Sequence, residues 1–298
     1  MKNIILVAGA TGNLGEQICR ELVSRGASVK AIVRHKSDQA KTKALQDIGV
    51  EVIPSDFNNP SHLLSACKGI SCVVSALAGL HDVIVTAQLQ LLKAALQAGV
   101  PRFIPSDFCT DYTQLPEGVN RNFDLRKEFE SLINDSDIKA TSIFNGAFAY
   151  VLQYCIPLFD PRNKTITYYE NKKDWKIDFT TVQDTAAFTA AAALDDSTPR
   201  HLHIAGFQVS PQDLADLSIK LYGDTFKLTD AGSLEQFLAF INTQRHAHPE
   251  GENELYPQWQ QMQYLYSMFA VHHPHLDNSR YPDTTWTNAE DALKPMFH

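Results

Sequence analysis

Apolar residues recur along the first half of the chain with two alternating periods. Short apolar, β-branched runs at Ile4–Val7, Ser28–Val33, Val50–Ile53, Ile70–Ser75, Arg102–Ile104 and Ala140–Phe144 read as buried strands. Between them lie segments of helical spacing, at Glu16–Val23, Ser37–Ile48 and His81–Gly99. The last carries Val85, Leu89, Leu92, Ala95 and Leu96 on one face, and Gly99 followed by Val-Pro stops it. A further helix from Asn120 shows Leu125, Phe129, Leu132 and Ile133 as its apolar face. This alternation over residues 3–144 predicts an α/β fold with a doubly wound parallel sheet.

Beyond Phe148 the pattern loosens. Val151–Leu158 reads as helical up to Pro157, and Thr165–Tyr169 with Ile177–Thr180 as a short strand pair. An alanine-rich helix runs from Val182 to Leu194 with Asp184 near its start, and His201–Ala205 reads as a strand. Ser210-Pro211 opens the next helix as N-cap and first-turn proline. From there the chain reads as mainly helical. The expected division is 1–152 as a nucleotide-binding domain, with 177–206 returning to it, and 153–298 as a smaller substrate domain.

The first strand enters Val7-Ala8-Gly9-Ala10-Thr11-Gly12-Asn13-Leu14-Gly15, and the first helix leaves it. Glycines at such a turn suit the pyrophosphate of a dinucleotide, which docks on backbone N–H groups at the positive end of a helix. Gly9 permits the tight turn, Gly12 lets the backbone approach the phosphates, and Gly15 lets helix and strand pack closely. Thr11, Asn13 and Leu14 complete the candidate contacts. Arg34 stands at the tip of the second strand, where NAD enzymes place a carboxylate for the ribose 2′-hydroxyl. Arg34 and Lys36 offer two cations for a 2′-phosphate instead, so the expected cofactor is NADP(H).

The Gly9-Ala10-Thr11-Gly12-Asn13-Leu14-Gly15 spacing resembles that of the extended and atypical short-chain dehydrogenase/reductases. Within them it is most similar to the NmrA-like and isoflavone-reductase-like group. A second match is Arg102-Phe103-Ile104-Pro105-Ser106-Asp107-Phe108, similar to the Arg-Phe-Phe-Pro-Ser-Glu-Phe of isoflavone-reductase-like enzymes. The resemblance runs from Met1 to about Phe148 and implies a Rossmann-type domain with a smaller, mainly helical C-terminal substrate domain.

The same resemblance implies cofactor contacts at Asp56 and Phe57, at Ala76 and Leu77, at Pro105 and Ser106, and at Asn145 and Phe148. A simple turn at Asp56-Phe57 and a small-residue turn after Ser75 would read the same way. Gln88 is either a cofactor contact or a solvated side chain. The group's catalytic lysine falls at Asn122, which cannot be a cationic proton donor. Arg126, four residues on, and Asp107 would then line the reacting end with Asn122; a polar helix surface is the alternative for Asn122 and Arg126.

The implied activity is an NADPH-dependent reductase acting on a small aromatic or conjugated carbonyl, alkene or quinone. The rival is a non-catalytic NADP(H)-binding redox sensor of the NmrA-like type, favoured by Asn122. The aromatic stretch Tyr256, Trp259, Tyr264, Tyr266 and Phe269 favours the enzyme.

The remaining composition narrows these readings. A net charge of −8 argues against a nucleic-acid surface, and no apolar run reaches the length of a membrane span. The chain enters a strand at residue 3, and its five cysteines form no C-x-x-C pair; both point to a cytoplasmic protein with reduced thiols. His246, His248, His272, His273 and His275 come with no carboxylate or cysteine at motif spacing, so no metal is expected. No G-x-S-x-G is present. Tyr168 and Lys172 have the Tyr-x-x-x-Lys spacing of typical short-chain dehydrogenases but lie past the sixth strand, outside its place in the fold. The partner is a small molecule; oligomeric state is not legible.

Overall fold

The computed structural model describes residues 3–154 and 156–294. Its first part alternates strand and helix: Ile4–Ala8 (β1), Asn13–Ser24 (α1), Ser28–Val33 (β2), Gln39–Asp47 (α2), Glu51–Pro54 (β3), Pro60–Cys67 (α3), Cys72–Ser75 (β4), Gln88–Gln97 (α4), Arg102–Ile104 (β5), Arg121–Asn134 (α5) and Lys139–Ala140 (β6). The six strands form one sheet in the order β3-β2-β1-β4-β5-β6, and every pairing is parallel. Helices cover both faces of such a sheet, which is why β4 and β5 are buried throughout and read as continuous apolar runs. Leu63, Leu91, Leu92, Phe129 and Ile133 from three helices pack with Leu6, Val73 and Phe103 of the sheet in one core. Strand order reverses between β1 and β4, so the crevice outside their C-terminal ends is the ligand site of this topology.

The chain continues through Ser142–Phe144 (β7), Ala147–Phe148 (β8), Thr165–Tyr168 (β9), Ile177–Thr180 (β10), Val182–Leu194 (α6), His201–His203 (β11), Phe207–Val209 (β12), Pro211–Tyr222 (α7), Lys227–Asp230 (β13), Leu234–Ala247 (α8), Gln258–Ala270 (α9) and Ala289–Leu293 (α10). Two compact units result. One runs to Phe108 and adds Leu125–Ile143 and Thr185–Leu202; the other holds Cys109–Asp124, Phe144–Asp184 and the chain from His203 onward. Of the 177–206 segment, the first unit thus takes Thr185–Leu202, while β10 belongs to the second.

Arg102 explains the return of α6 to the first unit. The helix is apolar on all sides, and the buried guanidinium caps its end, donating to the carbonyls of Ala193 at 2.9 Å and Ala192 at 2.8 Å and to Thr198 Oγ1 at 3.0 Å. In the second unit Ile166, Phe179, Leu214, Phe226, Leu265 and Phe269 share a separate core.

Several sequence expectations change. The short helix α3 gave no periodic signal; Asn59, whose Oδ1 accepts from His62 N at 3.2 Å, and Pro60 define its start. The predicted His81–Gly99 helix opens with a wide π turn, Asp82–Ala87, before α4. The single strand expected at Ala140–Phe144 breaks at Thr141, whose hydroxyl is drawn to Pro199 O at 2.8 Å and Thr198 Oγ1 at 2.7 Å. β6 stays in the large sheet and β7 pairs with β11.

The expected pairing of Thr165–Tyr169 with Ile177–Thr180 does not form. β9 pairs in parallel with β13, reached by the crossover through α7, while β10 lies between β8 and β12. Ala149–Tyr154 is a 3-10 turn instead of an α-helix. Ser210 caps α7 in a reciprocal capping box with Asp213. Cys19, Cys67, Cys72 and Cys109 are buried free thiols, and Cys155 lies outside the described residues. No helix among the described residues is long and apolar enough to cross a membrane.

Candidate functional site

The turn between β1 and α1 sits at the switch point of the large sheet. Gly9 has φ +81°, and a Cβ there would lie 2.4 Å from the Ala76 carbonyl at the end of β4. Gly12 N donates to Gly9 O at 2.9 Å, closing the turn. Gly12 is the N-cap of α1 and no side chain caps it. The helix thus turns backbone N–H groups outward where an anion can take the place of a cap. Gly12 and Asn13 are exposed, while Thr11 and Leu14 are half-buried. Gly15 is buried, and a Cβ on it would fall 2.2 Å from Gly9 O.

At the end of β2 a cavity of about 390 Å³ is lined by Arg34, His35, Ser37, Thr42 and Lys43 among others. Lys36, expected beside Arg34, is exposed and off this lining; Lys43, one turn into α2, lines it and pairs with Asp47 at 2.9 Å. The set is cationic and hydroxyl-bearing with no carboxylate, which fits a phosphate monoester on a ribose. Asp56 shapes a turn, its Oδ1 accepting from Asn58 N at 3.0 Å, and Phe57 packs on the first unit's core.

Ser106 binds the strand ends together. Its Oγ donates to Leu77 O at 2.6 Å, its N–H donates to Gln88 Oε1 at 3.1 Å, and its carbonyl accepts from Arg126 Nε at 3.1 Å. Gln88 is fully buried, so the solvated reading of that residue does not hold. Ala76 N donates to Ala8 O at 2.8 Å, and Pro105 is buried beside Ser106. These residues shape the floor under the glycine turn.

Asp107 is 1% exposed and accepts from Ser142 Oγ at 2.6 Å; Arg200 Nη1 donates to that same hydroxyl at 2.6 Å, and Arg200 pairs with Glu130. It therefore anchors a buried polar chain inside the first unit. Asn122, 2% exposed, donates to Leu255 O at 3.1 Å and to Tyr264 Oη at 2.9 Å, and accepts from Arg121 Nε at 3.0 Å. Asn122 is buried among these partners, so the polar-surface alternative for it does not hold. Asn145 is fully buried, its carbonyl accepting from Thr180 Oγ1 at 2.7 Å. Phe148 stacks on exposed Tyr150 at 5.6 Å, and Tyr154 meets Tyr150 edge-on. Lys172 is tied to Phe269 O and Glu170, in keeping with its exclusion as a catalytic pair with Tyr168.

Sequence patterning gave no signal for Arg121, nor for the group that Asp111, Asp178 and His203 form with His273, one of the histidines weighed for metal. Arg121 donates to four carbonyls between Gly251 and Leu255 and lies 4.7 Å over the Trp259 ring. The histidine-carboxylate pairs span 92 and 95 residues, beyond the reach of any spacing rule.

Comparison with known proteins decides the family, for the model of the NmrA-like family matches residues 1–293. The chain belongs to the NmrA-like family. Pinoresinol reductase 1 of Arabidopsis thaliana is 27% identical over 319 residues, which cover 99% of this chain and 97% of the relative. Isoflavone reductase of Pisum sativum is 25% identical over 98% of both chains. The solved structure of AtPrR2 with NADP+ and (+)pinoresinol superposes with a TM-score of 0.82 at 25% identity, covering 100% of this chain and 99% of that one. This NmrA-like chain thus shares its fold and its full length with reductases, and the α/β architecture expected from periodicity is the family's own.

Proposed function

We propose that this NADPH-dependent oxidoreductase delivers its hydride to a small aromatic or conjugated carbonyl, alkene or quinone substrate. The observation that carries the reading is the uncapped start of α1 at the switch point, flanked by the Arg34 and Lys43 cavity. The pyrophosphate would lie on the N–H groups from Gly12 onward, with the 2′-phosphate against Arg34. The floor is Ala76, Leu77, Pro105 and Ser106. The aromatic class rests on the relatives that act on pinoresinol and isoflavones, and on the Phe148, Tyr150 and Tyr154 rings, which offer a flat partner to an aromatic ligand. Arg126 would act as a positioning residue, through Ser106.

An NADPH-oxidation screen against quinones, enones, aromatic aldehydes, an isoflavone and pinoresinol tests the substrate class. Turnover with at least one of them is expected. Silence across the panel, together with a conformational response that differs between NADPH and NADP+, would replace it with the redox-sensor reading.

Cofactor choice has its own test. A charge-assisted contact contributes about 1.5–3 kcal/mol, so NADPH should bind at least about tenfold tighter than NADH. Arg34→Ala should remove most of that gap and leave NADH affinity nearly unchanged, as read by titration calorimetry. Equal affinities in the unmutated protein would end the assignment of Arg34.

A further inference from the structure

Four residues from separate segments of the second unit meet in a buried cluster. Asp111 follows β5 in a loop, Asp178 lies on β10, His203 ends β11, and His273 follows α9. His203 Nε2 lies 3.0 Å from Asp111 Oδ2, and His273 Nε2 lies 3.6 Å from the same oxygen. These three ligand atoms all fall within 4.8 Å of one another. Metal–nitrogen and metal–oxygen bonds of about 2.0–2.1 Å put tetrahedral ligand atoms about 3.3 Å apart, and the separations of 3.0 Å and 3.6 Å bracket that spacing.

The surroundings are built for such an ion. His273 is 6% exposed, and its Nε2 has no hydrogen-bond partner while pointing at Asp111. Its other nitrogen, Nδ1, lies 2.7 Å from Asp178 Oδ2; with a ring proton donated there, Nε2 would face the cluster as a ligand atom. Asp178 is itself oriented by Gln208, which donates to its Oδ1 at 2.7 Å. Asp111 Oδ1 accepts from Thr113 N and Oγ1, which turns Oδ2 toward the two imidazoles. A divalent cation bound there would displace the ring proton that Asp111 and Asp178 hold on His273, and would offset the charge of these two buried carboxylates.

We propose that Asp111, His203 and His273 form a divalent transition-metal site of the zinc class, with Asp178 as the carboxylate that orients His273. Two imidazoles and one carboxylate select zinc-like ions over magnesium or calcium, which take oxygen ligands. The ion would cross-link three segments of the second unit and serve its stability.

The test uses the full chain, stripped with a chelator and titrated with Zn(II) by calorimetry and with Co(II) by absorption spectroscopy. One equivalent per chain is expected, with the intense visible bands of low-coordinate Co(II) and a rise in melting temperature on Zn(II) addition. His203→Ala should remove stoichiometric binding, and since His203 is only half-buried the variant keeps its fold, checked by circular dichroism. Asp178→Asn should weaken binding by about 10–100-fold, as loss of an orienting carboxylate does. The exposed pair His246 and His248, replaced together by alanine, should leave binding unchanged. Absence of stoichiometric uptake by the unmutated chain would overturn the site. So would uptake that survives His203→Ala, or uptake that disappears with His246 and His248.

Discussion

Gly12→Val is expected to lose NADPH by on the order of 10²-fold or more while the protein stays folded. Two or three backbone N–H bonds to the pyrophosphate, each about 1.5–3 kcal/mol when charge-assisted, are lost when a branched side chain occupies the approach. The fold tolerates the change because Gly12 is exposed, has φ −81° and ψ 163°, and a Cβ there meets only Gly9 O, at 3.2 Å. A hydrophobic N-cap costs about 1 kcal/mol, a shift of a few degrees in melting temperature.

Gly15→Ala separates binding from packing. Its Cβ would stand 2.2 Å from Gly9 O, so the strand–helix packing must open and stability falls together with binding. Fluorescence titration of NADPH and thermal melts of both variants read the difference. Normal NADPH affinity in Gly12→Val would take this turn out of the site.

Arg121→Ala is expected to lower stability by about 3–5 kcal/mol, a drop of roughly 10 °C in melting temperature. The buried guanidinium spans Gly251 O at 3.1 Å, Glu252 O at 3.3 Å, Glu254 O at 2.8 Å and Leu255 O at 3.1 Å, and fixes Asn122 through Nε. Each buried carbonyl left unmet costs about 1–3 kcal/mol, part of which entering water restores. Arg121→Lys should recover little, because a single ammonium cannot span the fork or stack on Trp259 as the planar group does. A melting temperature within about 2 °C of the unmutated protein would show that the 251–255 segment is held by other means.

The same two positions show how far the sequence reaches. Glycine at 9, 12 and 15 between an apolar run and a helical face already carries its meaning, because a strand-helix turn is local: Gly9 takes the left-handed φ, Gly15 the close strand–helix contact, and Gly12 leaves the helix start open. The parallel sheet was legible for a related reason: strands buried on both faces and helices buried on one repeat with fixed local periods. NADP(H) was legible too, since Arg34 follows directly from the end of β2.

Tertiary structure decided the rest. Arg121 in the sequence is one basic letter at the start of a helix; the chain places it under four carbonyls more than 100 residues away. Asp107 and Asn122 stood at positions that the resemblance linked to substrate; the fold buries both, with Ser142 on Asp107 Oδ2 and with Leu255 and Tyr264 on the Asn122 amide. His273 was one of several histidines with no ligand at motif spacing; Asp111, Asp178 and His203 close around it from distant segments. Local periodicity specifies which face of an element is buried. What a buried polar side chain does depends on the partner it meets there, and packing between segments distant in sequence chooses that partner.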